Sequence, residues 1–219
     1  MKIYNIAIDG PSGAGKSTAA RSLAAKLGIA YLDTGALYRA VGLKAMRCGW
    51  EENDAEAEKN LKNTDICVEY ENGKQIVYLD GENVSEAIRR DEVSSWGSRF
   101  SALPSVRAAL LGLQRKISGE YSSVLDGRDI GTCVLPFAKY KFFLTASVDK
   151  RAFRRYNELR SKGTEVQYDK VRADIEARDY RDMNRAVSPL RKADDAIEIN
   201  SDNLDAEEVV NKMLSYISE

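Results

Sequence analysis

Apolar residues along this chain follow two rhythms. Short consecutive runs at 4–9, 29–32, 123–126, 140–144 and 196–199 read as buried strands. Other stretches carry apolar residues at helical spacing. Ala20, Leu23, Ala24 and Leu27 predict a helix over 16–27 that Gly28 stops, and Val209, Val210, Met213 and Leu214 give one apolar face to a helix over 204–218. Further helices are predicted from a cap at Asp33 or Thr34 to about Cys48, over the acidic stretch 51–62, over 91–118 with a break near Pro104, and over two arginine-rich stretches, 151–162 and 168–184. Strands alternating with helices predict a doubly wound α/β core around a parallel sheet. One segment departs from that order. Runs 66–70 and 75–79 are joined by Glu71-Asn72-Gly73-Lys74, and Asn-Gly is a strong hairpin signal, so an antiparallel hairpin is expected as an insert.

Composition narrows the function classes. A hydrophobic share of 43% and a charged share of 31% are ordinary for a globular protein. No run approaches the roughly 18 apolar residues of a membrane span, and Met1 to Tyr4 lead straight into the first strand, so neither membrane insertion nor a signal peptide is expected. Three scattered cysteines, Cys48, Cys67 and Cys133, suggest a reducing, cytoplasmic setting and neither a disulfide framework nor a CxxC metal site. The absence of histidine removes histidine acid–base catalysis and His-containing metal sites.

Charge is uneven: +5 over residues 1–50, +4 over 93–148 and +5 over 149–192, against −8 over 51–92 and −7 over 193–219. A nucleic-acid-binding domain usually has a pI above about 9. The value of 5.8 here argues against such a partner and for a compact anionic ligand near the basic segments.

Gly10-Pro11-Ser12-Gly13-Ala14-Gly15-Lys16-Ser17, followed by Thr18, matches G-x-x-x-x-G-K-[ST] between a strand and a helix. Such a loop points backbone amides at phosphate oxygens, and the helix N-terminus adds to the field. Lys16 is expected to bridge the β- and γ-phosphates of ATP and Ser17 to reach Mg²⁺. Asp126, ending a strand, is either a second magnesium-organising carboxylate or an ordinary turn residue ahead of Gly127. Arg39 and Arg128 suit a second phosphate, because guanidinium forks match phosphate oxygens. Arg178, Asp182 and Arg185 fall on one helical face, and Arg151, Arg154 and Arg155 on another. These stripes read either as a charged lid over ATP or as solvated faces with i,i+4 ion pairs.

Four segments together resemble bacterial cytidylate kinases, within the nucleoside-monophosphate kinases: Ile8 to Ser17, Tyr31-Leu32-Asp33-Thr34-Gly35-Ala36-Leu37-Tyr38-Arg39, Asp126-Gly127-Arg128-Asp129-Ile130-Gly131-Thr132, and Arg178 to Arg185. The likeness covers essentially the whole chain. It implies transfer of the γ-phosphoryl of Mg·ATP to CMP or dCMP in pyrimidine nucleotide metabolism, with Lys16, Arg39, Arg128 and Asp126 at the chemistry. It also implies that Thr34, Arg39 and Arg128 hold the acceptor phosphate, that Ser98, Arg107 and Asp129 read cytosine, and that Arg178, Asp182 and Arg185 handle sugar and base. Asp129 could instead only stiffen its turn. Arg154 and Arg155 are expected on ATP. The implied division is a P-loop core (about 1–33, 102–148 and 186–219), an acceptor region with the insert (about 34–101) and a short helical lid (about 149–185) in a cytoplasmic monomer. A kinase for another phosphate-bearing acceptor and a non-catalytic ATP-binding regulatory module are the competing readings.

Overall fold

The computed structural model describes residues 3–71 and 73–217. Met1, Lys2, Asn72 of the expected hairpin turn, and Ser218 at the expected end of the last helix lie outside the described residues. The parallel sheet contains β1 (Asn5–Asp9), β2 (Ala30–Asp33), β6 (Ser123–Asp126), β7 (Tyr140–Thr145) and β8 (Ile197–Asn200). Their spatial order is β2-β6-β1-β7-β8, with Ile8 beside Asp126 on one side and Phe142 on the other. Alternation along the strands sorts the two faces. Ile6, Ile8, Val124, Phe142 and Leu144 meet Ala20 and Leu23 of α1 (Lys16–Leu27) and Val210 and Met213 of α8 (Ala206–Ile217). Ala7, Leu32 and Leu125 face the other way, onto Ile117 of α5 (Pro104–Glu120). Helices therefore cover both faces, as the apolar strand pattern requires.

The expected hairpin is β3 (Ile66–Glu71) and β4 (Lys74–Leu79), extended by a two-residue β5 (Glu82–Asn83) into a small antiparallel sheet. So short a strand leaves almost no period-two signal in the sequence. Helix α2 (Thr34–Cys48) has two apolar faces. Ala36, Ala40 and Leu43 meet Val77 and Leu79 of the hairpin. Leu37, Val41 and Ala45 meet Trp50, Phe100 and Leu110, alongside α3 (Asp54–Leu61) and α4 (Asp91–Phe100). The break at Pro104 is real: α4 ends at Phe100 and Pro104 opens α5, where its missing N–H costs nothing.

The pair α6 (Val148–Ser161) and α7 (Tyr168–Asn184) has its own apolar cluster of Ala152, Leu159, Val171 and Ile175. Two sequence expectations change here. Arg185 is not on the α7 face: the helix ends at Asn184 and Arg185 is extended (φ −63°, ψ 145°). Arg151 does not join Arg154 and Arg155 on an open face, because its side chain is buried under the glycine-rich loop.

Candidate active site

The C-terminal ends of β1, β2 and β6 converge on a cleft of about 420 Å³, where ligands collect in open α/β sheets. Eight basic side chains and five carboxylates line it, so the cleft carries excess positive charge.

The glycine-rich loop is held tightly. Gly10 has φ +145°, and a Cβ there would lie 2.0 Å from the Leu144 carbonyl oxygen, so no larger residue fits. Gly10, Pro11 and Ala14 shape the loop from below, while Ser12, Gly13, Gly15, Lys16, Ser17 and Thr18 line the cleft. Lys16 is buried and its Nζ donates to the Pro11 carbonyl at 2.7 Å. Burial and the nearby Arg128 push its pKa well below the usual lysine value, and an anion at this position would relieve both effects.

The Ser17 hydroxyl donates to Asp126 Oδ2 at 2.8 Å and Tyr31 donates to Oδ1 at 2.8 Å. Burial, reinforced by the Asp33 carboxylate, raises the Asp126 pKa. A hydroxyl and a carboxylate side by side are hard oxygen donors of the kind Mg²⁺ takes, so these residues fit that ion. Thr34 Oγ1 donates to the Asp126 carbonyl at 2.7 Å. Its hydroxyl proton is therefore committed to the fold, and Thr34 as a phosphate donor requires that bond to be exchanged.

Arg39 Nη2 sits 2.7 Å from Asp33 Oδ2 on the cleft wall. Arg128 Nε sits 2.8 Å from Asp182 Oδ2. Burial alone would raise the Asp182 pKa, but the Arg128 and Arg178 guanidiniums more than offset this and hold it below the usual carboxylate value. Arg178 Nε is buried with no hydrogen-bond partner, and burial together with Arg128 lowers its pKa to about 10.

Deeper in the cleft, Asp129 is bonded by Arg107 and lies 3.3 Å from Arg185 Nη2. Arg107 also lies 5.3 Å over the Tyr38 ring. The buried Ser98 hydroxyl has no partner. On α6, Arg154 donates to the Ser201 carbonyl at 2.6 Å, and Arg155 is paired with Asp91 and Glu158. Every candidate from Gly10 to Arg185 thus lines one cleft, apart from the three loop-shaping residues and the buried Arg151. For Asp129 the geometry adds a structural duty, since both its oxygens engage arginines.

Several residues of the site fall inside the segments that carry the resemblance but had no role assigned to them from the sequence. Tyr31 and Tyr38 read only as apolar. Asp9, next to the loop motif, accepts the Ile130 and Gly131 amides at 2.8 and 2.7 Å and so fixes the turn that carries Arg128 and Asp129. Burial raises its pKa to about 6 against the relief those amides supply. The turn itself continues into a single π-helical turn, Ile130–Val134, an irregularity common at functional sites.

Comparison with known proteins agrees with this geometry. Residues 6–219 match the family model described as cytidylate kinase. A curated cytidylate kinase from Caldicellulosiruptor saccharolyticus is 49% identical over 215 residues, covering 98% of this chain and 95% of the relative. Another from Clostridium acetobutylicum is 49% identical over 214 residues, covering 98% and 97%. Among solved structures, an uncharacterized protein from Eubacterium ventriosum aligns over 99% of each chain with a TM-score of 0.52 at 15% identity, a likeness of fold alone.

Proposed function

The chain belongs to the cytidylate kinase family, and from that premise we propose how its cleft phosphorylates CMP or dCMP with ATP, giving CDP or dCDP and ADP. The attacking group is an oxygen of the acceptor phosphate. A phosphate monoester's second ionisation lies near about 6, so that oxygen is largely deprotonated at neutral pH and no general base is required. A histidine-free cleft is therefore adequate, and catalysis reduces to positioning and charge neutralisation.

ATP phosphates lie in the amides of the glycine-rich loop, with Lys16 on the transferred group and Arg154 and Arg155 reaching from the lid. Ser17 and Asp126 would hold Mg²⁺, which when bound neutralises charge on the ATP phosphate oxygens. Arg39 and Arg128 clamp the acceptor phosphate and offset its repulsion from ATP, with Thr34 beside them. Ser98, Arg107 and Asp129 read cytosine. A carboxylate suits its exocyclic amine, whereas uracil offers only an oxygen there. Arg178, Asp182 and Arg185 take the sugar and base.

The observation that carries this reading is a set of three unpartnered buried groups, Ser98 Oγ, Arg107 Nε and Arg178 Nε, in a cleft rich in guanidinium. Buried polar atoms are normally hydrogen-bonded, and a bound nucleotide monophosphate supplies what they lack. The three-part division is supported by two separate clusters: α6 and α7 have their own apolar cluster and the hairpin packs on α2. The cleft is complete within one chain, which supports a monomer. No described helix is long and apolar enough to cross a membrane, and free Cys48 and Cys67 are exposed, as suits a reducing cytoplasm.

The test is coupled ADP release with CMP, dCMP, UMP or AMP as acceptor. Turnover should require an acceptor and favour CMP and dCMP. ATP consumption indifferent to CMP would overturn the reading.

A further inference from the structure

We infer that Gln75, on the hairpin insert, is a positioning residue for the acceptor-phosphate clamp, acting through Asp33 on Arg39. Strand β2 is the edge of the parallel sheet, and its last residue has both backbone polar groups turned to the free side. The side-chain amide of Gln75 meets both. Its Oε1 accepts from Asp33 N–H at 2.7 Å, and its Nε2 donates to the Asp33 carbonyl at 3.3 Å. One primary amide thus takes the place of the peptide that a further strand would offer.

Asp33 is held from its other end as well. Oδ1 accepts the Ala36 amide at 3.1 Å and so caps α2, while Oδ2 takes Arg39 Nη2 at 2.7 Å. Backbone and side chain of one residue are thereby fixed between the insert and the guanidinium. The hairpin is itself anchored: Val77 and Leu79 pack on α2, and Val68 and Tyr70 pack against the cluster containing Leu32 and Ile117. Gln75 consequently links a rigidly seated element to the only carboxylate that orients Arg39 among the described ion pairs. Guanidinium forks bind phosphate by geometry, so an Arg39 without a fixed Asp33 binds less well even with its charge intact.

The inference rests on Arg39 contacting the acceptor phosphate, and a double-mutant cycle separates the two claims. Equilibrium dissociation constants for CMP would be measured without ATP on wild type, Gln75→Met, Arg39→Ala and the double variant, with KM for ATP and melting temperature as controls. Met keeps the length of Gln and removes both bonds. Loss of two net hydrogen bonds sets an upper limit of about a hundredfold. Only the part transmitted through Asp33 to Arg39 reaches the ligand, so CMP binding should weaken by roughly five- to tenfold, with KM for ATP changed by less than about twofold. In the Arg39→Ala background the same substitution should change CMP binding by less than about twofold, because the group it positions is gone. A second variant, Gln75→Glu, keeps the acceptor but sets an oxygen against the Asp33 carbonyl, and should weaken CMP at least as much as Met. Equal Gln75→Met effects in both backgrounds, or a Gln75→Glu enzyme that binds CMP like wild type, would overturn the role of Gln75. An Arg39→Ala protein that binds CMP normally would bring down the clamp itself.

Discussion

Helices α2 and α4 cross at Gly42 and Gly97, and their spacing sets the distance between Arg39, one turn before Gly42, and Ser98, the residue after Gly97. Gly42→Ala tests that spacing. A Cβ at position 42 would lie 2.4 Å from Gly97 N, 2.8 Å from Gly97 Cα and 2.9 Å from the Trp96 carbonyl carbon. All three are backbone atoms, so no side chain can swing aside. Reaching the 3.0 Å floor needs the helices to part by 0.6 Å, and ordinary contact at 3.4 Å needs 1.0 Å. Overpacking of this kind costs about 1–3 kcal/mol, while alanine in a helix returns about 1 kcal/mol over glycine. The net, about 0–2 kcal/mol, lowers the melting temperature by at most roughly 8 °C at about 2–4 °C per kcal/mol.

Catalysis should suffer far more. A misplacement near 1 Å can cost about a hundredfold, so kcat/KM for CMP should fall by roughly 30- to 100-fold while KM for ATP stays within about twofold. Gly112→Ala is the control. It lies on α5 with nothing within 4 Å of a Cβ, and should be neutral or stabilising by up to about 1 kcal/mol. Steady-state kinetics with each nucleotide varied and calorimetric melting supply both readouts. If Gly42→Ala melts lower yet uses CMP within about threefold of wild type, the crossing is packing alone.

Three further predictions concern buried charge. Lys16→Met should abolish turnover and raise the melting temperature of the free enzyme near neutral pH. Burial depresses the Lys16 pKa well below the ordinary 10.5, so stability is lost as pH falls from that ordinary value down through the folded-state one, and the loss is already present near neutral pH; an unchanged or lower melting temperature would refute this. Asp9 titrates near 6 in the fold against an ordinary 3.8, a difference of about 3 kcal/mol. Its contribution is favourable at low pH and is lost as pH rises through about 6. The stability of Asp9→Asn relative to wild type should therefore improve by that amount from about pH 4 to about pH 7, and parallel pH profiles of the two would contradict it. Asp129→Asn should reduce the preference for CMP over UMP by at least about tenfold, because an amide can donate to uracil. It should also melt lower, since Arg107 and Arg185 lose a buried counter-charge worth about 3 kcal/mol. A lower melting point with an unchanged CMP/UMP ratio would leave Asp129 as a support for those arginines alone.

The features legible in the sequence were those whose cause is local. Five apolar strand runs, the helix with Leu23 and Leu27 stopped by Gly28, and the loop from Gly10 to Ser17 each carry their own signal. So does the Pro104 break. What stayed hidden depends on residues distant in the chain. Arg151 and Arg154 have the same local grammar, yet one is buried beneath Ser12 and the other lines the cleft. Gly42 and Gly97 look like weak helix residues until the two helices are seen to touch. Gln75 occupies an ordinary strand position, and its contact with Asp33 spans 42 residues. Arg185 sat at a helical spacing that the backbone abandons one residue earlier.

The burial of Arg151 has a mechanical consequence. Its Nη1 donates to the Ser12 carbonyl at 3.0 Å and meets Asp179 Oδ2 at 2.5 Å, while Asp179 Oδ1 accepts the Ser12 amide at 3.4 Å. One residue of the phosphate loop is thus gripped on both sides by an ion pair that itself joins the two lid helices. A lid attached this way cannot swing like a door on a frame that stays still. Any tilt of α6 against α7 pulls on Ser12, and any shift of Ser12 as a phosphate settles is felt at the root of both helices. Ser12, α6 and α7 are therefore tied at one point, so a displacement of any of them loads the other two.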